Sequence, residues 1–331
     1  MKSIVIEGWR GISHSFAMVN QYQILEWLKL PELCLYHSDA PYFRDKWANP
    51  QNNPGFPAEA QNSIMSIAKP AEGPFDSVYR IAYPFTKSTT HAKQIVTFMV
   101  TEFGLCPNDL PGTESGIEHF CEGSNLVVTP SNWSRVKLIE YGFPADRVEL
   151  VPHGVNSQIF YPLTVEERAA FRAALDVSDD NFLFLNIGAL TENKGIHLLL
   201  FAFSVIRQKY PEARLVLKDS SGLYKKTVSQ YIEDYGKVNP PLPTSVLDSI
   251  FEVSETVSVS DLRLLYGGAD MYVSPYLAEG FNLPVIEAIA CGTPAIVTAG
   301  GSTDDFCNSA VALPIKADLQ LNADNKYLGT G

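Results

Sequence analysis

SPYLAEGFNLPVIEAIACGTPAIV, residues 274–297, places two carboxylates eight positions apart, Glu279 just before an expected helix and Glu287 inside it. Pro284 suits the first turn of that helix, so the loop 280–283 presents backbone N–H groups at a helix N-terminus, a favourable place for an anion. Carboxylates accept hydrogen bonds from vicinal hydroxyls. One acid beside this loop and another a little over two turns on are therefore placed to grip a sugar and a ribose. Two polyols bridged by a diphosphate describe a nucleotide sugar. A lone acid pair is more often solvated surface. Glu287, however, sits in the apolar run VIEAIA, where an ionised side chain is costly and implies a partner.

Outward from this stretch, short apolar runs alternate with helical ones. After Pro162 the pattern predicts helices at 165–175, 196–209, 228–235, 261–266 and 283–290, interleaved with strands at 182–187, 214–218, 249–253, 271–273 and 295–298. The first half opens with a strand at 3–6, a glycine-containing turn and a helix at 16–30. Strands at 33–36, 78–83, 94–100, 126–129 and 148–152 follow, with a helix at 133–141 between the last two. Residues 40–73, rich in Pro, Asn and Gly and without a period, predict a long loop or short irregular helices. The pattern lapses around 153–162, which divides the chain into domains 1–155 and 156–331. Each reads as doubly wound α/β, with a cleft implied between them and ligands expected beyond the carboxyl ends of the strands.

A length of 331 residues fits two domains better than one core. Hydrophobic residues at 46% and charged residues at 19% fit a folded globular chain. A net charge of −12 excludes a general nucleic-acid binder, which needs a basic face. Five scattered cysteines, with neither a C-x-x-C pair nor a zinc spacing, predict reduced thiols and no metal site. The opening MKSIVIEGW is too short in apolar residues for a signal peptide, and no run reaches the length of a membrane span. Cytoplasmic residence is the expectation, with peripheral membrane contact compatible with it.

Three segments together resemble the retaining glycosyltransferases of family 4, which have the GT-B fold. Residues 274–297 resemble the family's E-x7-E signature. NIGALTENKGIHLLLFAF, 186–203, resembles its strand, G-R-L, K-G and helix segment, in which Arg and Lys clamp the donor diphosphate. VTPSNWSRVKLIEYGFPADRVELVPHGVNSQIFYP, 128–162, resembles the segment that closes the N-terminal domain. The resemblance implies two Rossmann-like doubly wound parallel-sheet domains facing across a cleft, an acceptor-side domain first and a nucleotide-sugar donor domain second. It implies that Lys194 contacts the diphosphate, Glu287 the ribose hydroxyls and Glu279 the donor sugar, helped by the amides of Gly280, Phe281, Asn282 and Leu283. Gly188 and Gly195 permit the tight loop around Lys194. Gly11, in the loop EGWRGISHS, occupies the position of the family's glycine-rich first loop and would approach the donor through its backbone, with Ile12. His14 in the same loop reads either as a site residue or as a capping or packing one. Glu102 stands near where the family often places a histidine facing the reacting sugar, and reads either as a polar partner there or as a helix-starting acid.

The sequence departs from the family at Ala189, which stands where the arginine of G-R-L is usual. Either another cation substitutes, Lys218 and Arg10 being the candidates, or the diphosphate is held more weakly. After Phe306 the chain runs through ALPIKADLQLNADNKYLGTG without the helix that in this family usually crosses back to the N-terminal domain. The activity implied is transfer of a sugar from a nucleoside-diphosphate sugar to an acceptor hydroxyl, saccharide, lipid-linked or protein, with retention of configuration. No metal or further cofactor is expected. The competing readings are a nucleotide-binding protein of the same fold without transfer activity, and an epimerase or phosphorylase.

Overall fold

The structure is a computed structural model that describes residues 1–48, 54–112, 116–321 and 327–330. The chain forms two units, Met1–His153 and Gly154–Gly331. In the first, β1 (Lys2–Gly8) leads through a turn into α1 (Ser15–Trp27) and back to β2 (Leu33–Asp39). Then come α2 (Ala58–Met65), β3 (Phe75–Ile81), β4 (Ala92–Phe98), β5 (Leu126–Thr129), α3 (Asn132–Tyr141) and β6 (Val148–Leu150). All six strands are parallel in the order β2-β1-β3-β4-β5-β6, so the winding reverses between β1 and β3. His14 caps α1, its Nδ1 accepting from the Phe16 amide at 3.3 Å, the capping alternative of the two open for that histidine. The stretch between β2 and β3 is more regular than its composition predicts, because α2 is an ordinary helix there. Only Ile64 of it is buried, too little to leave an apolar period in the sequence. Residues 49–53 of that stretch lie outside the described residues.

The second unit runs α4 (Val165–Ala174), β7 (Leu183–Ile187), α5 (Ile196–Lys209), β8 (Arg214–Lys218), α6 (Ser221–Tyr224), α7 (Val228–Val238), α8 (Thr244–Leu247) and β9 (Ile250–Val253). It continues with α9 (Val259–Gly268), β10 (Met271–Ser274), α10 (Leu283–Ala290), β11 (Ala295–Thr298) and β12 (Ala312–Ile315). The order β12-β11-β10-β7-β8-β9, again wholly parallel, reverses between β7 and β10. Strand alternation divides the core into two faces. Leu183, Leu185, Val216 and Tyr272 pack with Val285 and Ala288 of α10 on one side. Leu215 and Leu217 pack with Leu199, Leu200 and Phe203 of α5 on the other. Asp270 ties the strand starts to α4, accepting from Arg168 at 2.5 Å, Arg172 at 3.0 Å and the Leu183 amide at 2.7 Å. A capping box between Thr164 and Glu167 starts α4. Beyond β12 the chain pairs β13 (Asp318–Leu321) with β14 (Tyr327–Thr330) as an antiparallel ribbon. Among the described residues no helix is long and apolar enough to cross a membrane.

Candidate functional site

In an open parallel sheet the loops on either side of the strand-order reversal diverge and leave a crevice at the carboxyl ends of the strands. In the second unit those loops follow β7 and β10, and they carry most of the residues singled out in the sequence. The loop after β7 contains Gly188, Ala189 and a single 3-10 turn, Glu192–Lys194, and closes on Gly195 with φ +67°. A side chain at position 195 is barred twice over: the backbone is left-handed, and a Cβ would lie 1.9 Å from the Pro275 carbonyl oxygen. This contact presses the two loops together. The Asn193 carbonyl adds to it by accepting from the Leu277 amide at 2.8 Å.

The docked loops bring Lys194 Nζ to 2.6 Å from Glu279 Oε1, with 22% and 11% of the side chains exposed. The ion pair is short enough to count as a charge-assisted hydrogen bond. Glu279 is followed by Gly280 and Phe281, whose ring lies 5.0 Å from that of Phe306. Asn282 then turns left-handed, φ 76° and ψ 66°, and donates from Nδ2 to Ser274 Oγ at 2.9 Å. That turn starts α10 at Leu283 with its first amides pointing back along the helix axis, as an anion site requires.

Glu287 lies one further turn into α10 and accepts from the Tyr266 hydroxyl at 2.6 Å. Burial pushes its carboxyl up to about 7, against the hydrogen bond from Tyr266, which lowers it. Tyr272, fully buried on β10, ties that strand to the end of β7: its hydroxyl donates to the Ile187 carbonyl at 3.0 Å, and burial raises its pKa strongly. The charges of Glu279 and Glu287 raise it further and that of Lys194 lowers it. Gly188 opens the loop and has nothing within 4 Å of where a Cβ would stand.

Lys194, Glu279, Gly280, Phe281, Asn282, Leu283, Glu287 and Gly188 thus gather at one sheet end, whereas Gly11 and Glu102 belong to the first unit. Gly11 sits after β1 with φ +80°, and its amide donates to Gln21 Oε1 at 2.9 Å, so that N–H is already committed within the protein. Glu102 follows β4, and its carbonyl accepts from Trp133 Nε1 at 3.0 Å. Arg10 drops out as a replacement for the missing arginine. Its guanidinium is held by both oxygens of Asp39, at 2.7 and 3.1 Å, and by the Ile64 carbonyl at 2.8 Å. Tyr266 and Tyr272 had no signal in the sequence, since a tyrosine inside an apolar run reads as core. Among the described residues no group of His, Cys, Asp and Glu is clustered to hold a metal ion.

Residues 167–313 match the family of glycosyl transferases group 1. The group 1 segment contains every site residue of the second unit named above. Among curated relatives, the D-inositol 3-phosphate glycosyltransferase of Paenarthrobacter aurescens is 28% identical over 217 residues, which is 64% of this chain and 50% of that protein. The mannosylfructose-phosphate synthase of Agrobacterium fabrum is 29% identical over 169 residues, 50% of this chain and 36% of that protein. The chain spans about half the length, or less, of these relatives. Among solved structures, Anabaena HepE in complex with UDP-glucose superposes with a TM-score of 0.67 at 13% identity, covering 95% of this chain and 85% of that one. Sucrose-phosphate synthase of Thermosynechococcus elongatus gives 0.66 at 17%, covering 95% and 86%. These likenesses establish two Rossmann-like units of the GT-B fold.

Proposed function

We propose that the chain is a retaining glycosyltransferase of family 4 that moves a sugar from a nucleoside-diphosphate sugar to an acceptor hydroxyl. The single observation that carries this reading is the ion pair of Lys194 with Glu279 beside the first amides of α10, within a segment matching glycosyl transferases group 1. The cation and the amides receive the pyrophosphate, and they meet the charge that grows on it as the bond to the anomeric carbon breaks. Glu279 accepts hydrogen bonds from the sugar, and Glu287 those of the ribose. The products are a glycoside and a nucleoside diphosphate, with the acceptor's proton released. The reading assigns this chemistry to protein groups and calls on no metal or further cofactor. The compartment assigned is the cytoplasm. Curated relatives named as a glycosyltransferase and a synthase of a sugar conjugate support transfer as the class of reaction.

The test is release of nucleotide from UDP-, GDP- and ADP-sugars, beginning with UDP-glucose because HepE was crystallised with it. Wild-type protein is expected to turn over at least one donor, and Glu279→Ala to lose about 100-fold or more in kcat with the nucleoside diphosphate still bound. Binding of a nucleoside diphosphate with no turnover of any donor would assign the chain to nucleotide binding without transfer.

A further inference from the structure

Lys218 is the last residue of β8 and the register neighbour of Ile187, and its carbonyl accepts from the Gly188 amide at 3.0 Å. Alternation along β8 puts its side chain on the face of Val216, the face that also carries Tyr272 and α10. It therefore leaves the sheet at the start of the loop that holds Ala189 and Lys194, on the side where Glu287 lies. The ammonium has three donors to satisfy, and it donates one of them to the Asp219 carbonyl at 2.7 Å. Among the described residues it makes no ion pair. The adjacent Asp219 carboxylate is engaged elsewhere, accepting from the Ser221 amide at 2.8 Å, the Val228 amide at 3.2 Å and Ser254 Oγ at 2.6 Å. Burial lowers the Lys218 pKa and the charge of Asp219 offsets this only in part, which marks an ammonium partly stripped of water. Lys194, by contrast, is already balanced by Glu279. A pyrophosphate carrying about two to three negative charges would have to share Lys194 with that carboxylate, which leaves a place for a second cation.

We propose that Lys218 is a second cation for the pyrophosphate of the nucleotide, approaching from the end of β8 while Lys194 approaches from the turn before α5. The assignment rests on the nucleotide-sugar reading of this site. It makes Lys218 a residue that recognises the diphosphate and not the nucleoside.

The test is isothermal titration of UDP, GDP and ADP, with the corresponding nucleosides, into wild type, Lys218→Gln and Lys218→Arg. Glutamine retains a donor for the Asp219 carbonyl and so protects the fold, which thermal melting checks. Lys218→Gln is expected to weaken the preferred diphosphate by about 10- to 100-fold and its nucleoside by less than about twofold, while Lys218→Arg stays close to wild type. Equal affinity of wild type and Lys218→Gln for the diphosphate overturns the proposal, as does an equal loss for diphosphate and nucleoside. Failure of wild type to bind any of the three diphosphates removes the nucleotide reading itself, a result distinct from either.

Discussion

At the scale of single residues, Glu287 combines the largest conflict between stability and use. In the unfolded chain its carboxyl ionises near its ordinary value of 4.5, whereas in the folded protein it stands at about 7. Between these values the folded state keeps a proton that the unfolded chain has lost. The resulting penalty is absent well below pH 4.5, grows as pH rises, and is complete above about 7, where it reaches about 3 kcal/mol. Glu287→Gln preserves an acceptor for Tyr266 and removes the ionisation. Urea unfolding should therefore find it more stable than wild type by about 2 kcal/mol at pH 8 and nearly equal at pH 4.5. The same variant should bind the preferred nucleoside diphosphate at least about tenfold more weakly, because an amide is a poorer acceptor for two ribose hydroxyls than a carboxylate. Equal stability at both pH values would show that the carboxyl is not burdened by burial.

At the scale of elements, the site depends on two loops held at contact distance by a missing side chain. Gly195→Ala should cost about 2 kcal/mol or more, from the left-handed backbone and from the overlap with the Pro275 carbonyl. It should also lower donor turnover far more than an alanine in the middle of α5, with thermal melting and nucleotide release as the two measurements. The elements around these loops were largely legible beforehand. β7, α5, β8, α10 and β11 fall within a residue or so of their expected limits, because the helices bury one face and leave a period while the strands, covered on both faces, leave short apolar runs. α6 and α8, four residues each, were not anticipated, since one turn is too short for a period. α9 is longer than expected at both ends because Ser258 caps it and two glycines, Gly267 and Gly268, extend it beneath Leu163 and Phe171. The glycines would ordinarily argue for a stop.

At the scale of the whole molecule, charge separates general from local electrostatics. With a net charge of −12, the chain should show no retention of duplex DNA at physiological salt in a filter-binding or polarisation assay, although the proposed site takes a small anion. Retention with steep salt dependence would contradict the assignment of anion binding to one sheet end. The family resemblance located Lys194, Glu279 and Glu287 individually, but the contact between the first two was not readable. Residues 85 positions apart meet only through the reversal of strand order between β7 and β10. The same limit applied to the choice between Arg10 and Lys218. Both are cations near strand ends, and only the folded chain shows one locked by Asp39 and the other beside Gly188.

The short contact between Lys194 and Glu279 means that the resting protein carries its own surrogate for the incoming anion. In the proposed reading a nucleotide must evict an internal competitor before it can be held, and the carboxylate so released is the group assigned to the sugar. On that reading, occupancy by the nucleotide and readiness for the sugar become one exchange event. Glu279→Gln, which weakens the competitor without emptying the position, should accordingly hold a free nucleoside diphosphate more tightly than wild type while turning over its sugar conjugate more slowly.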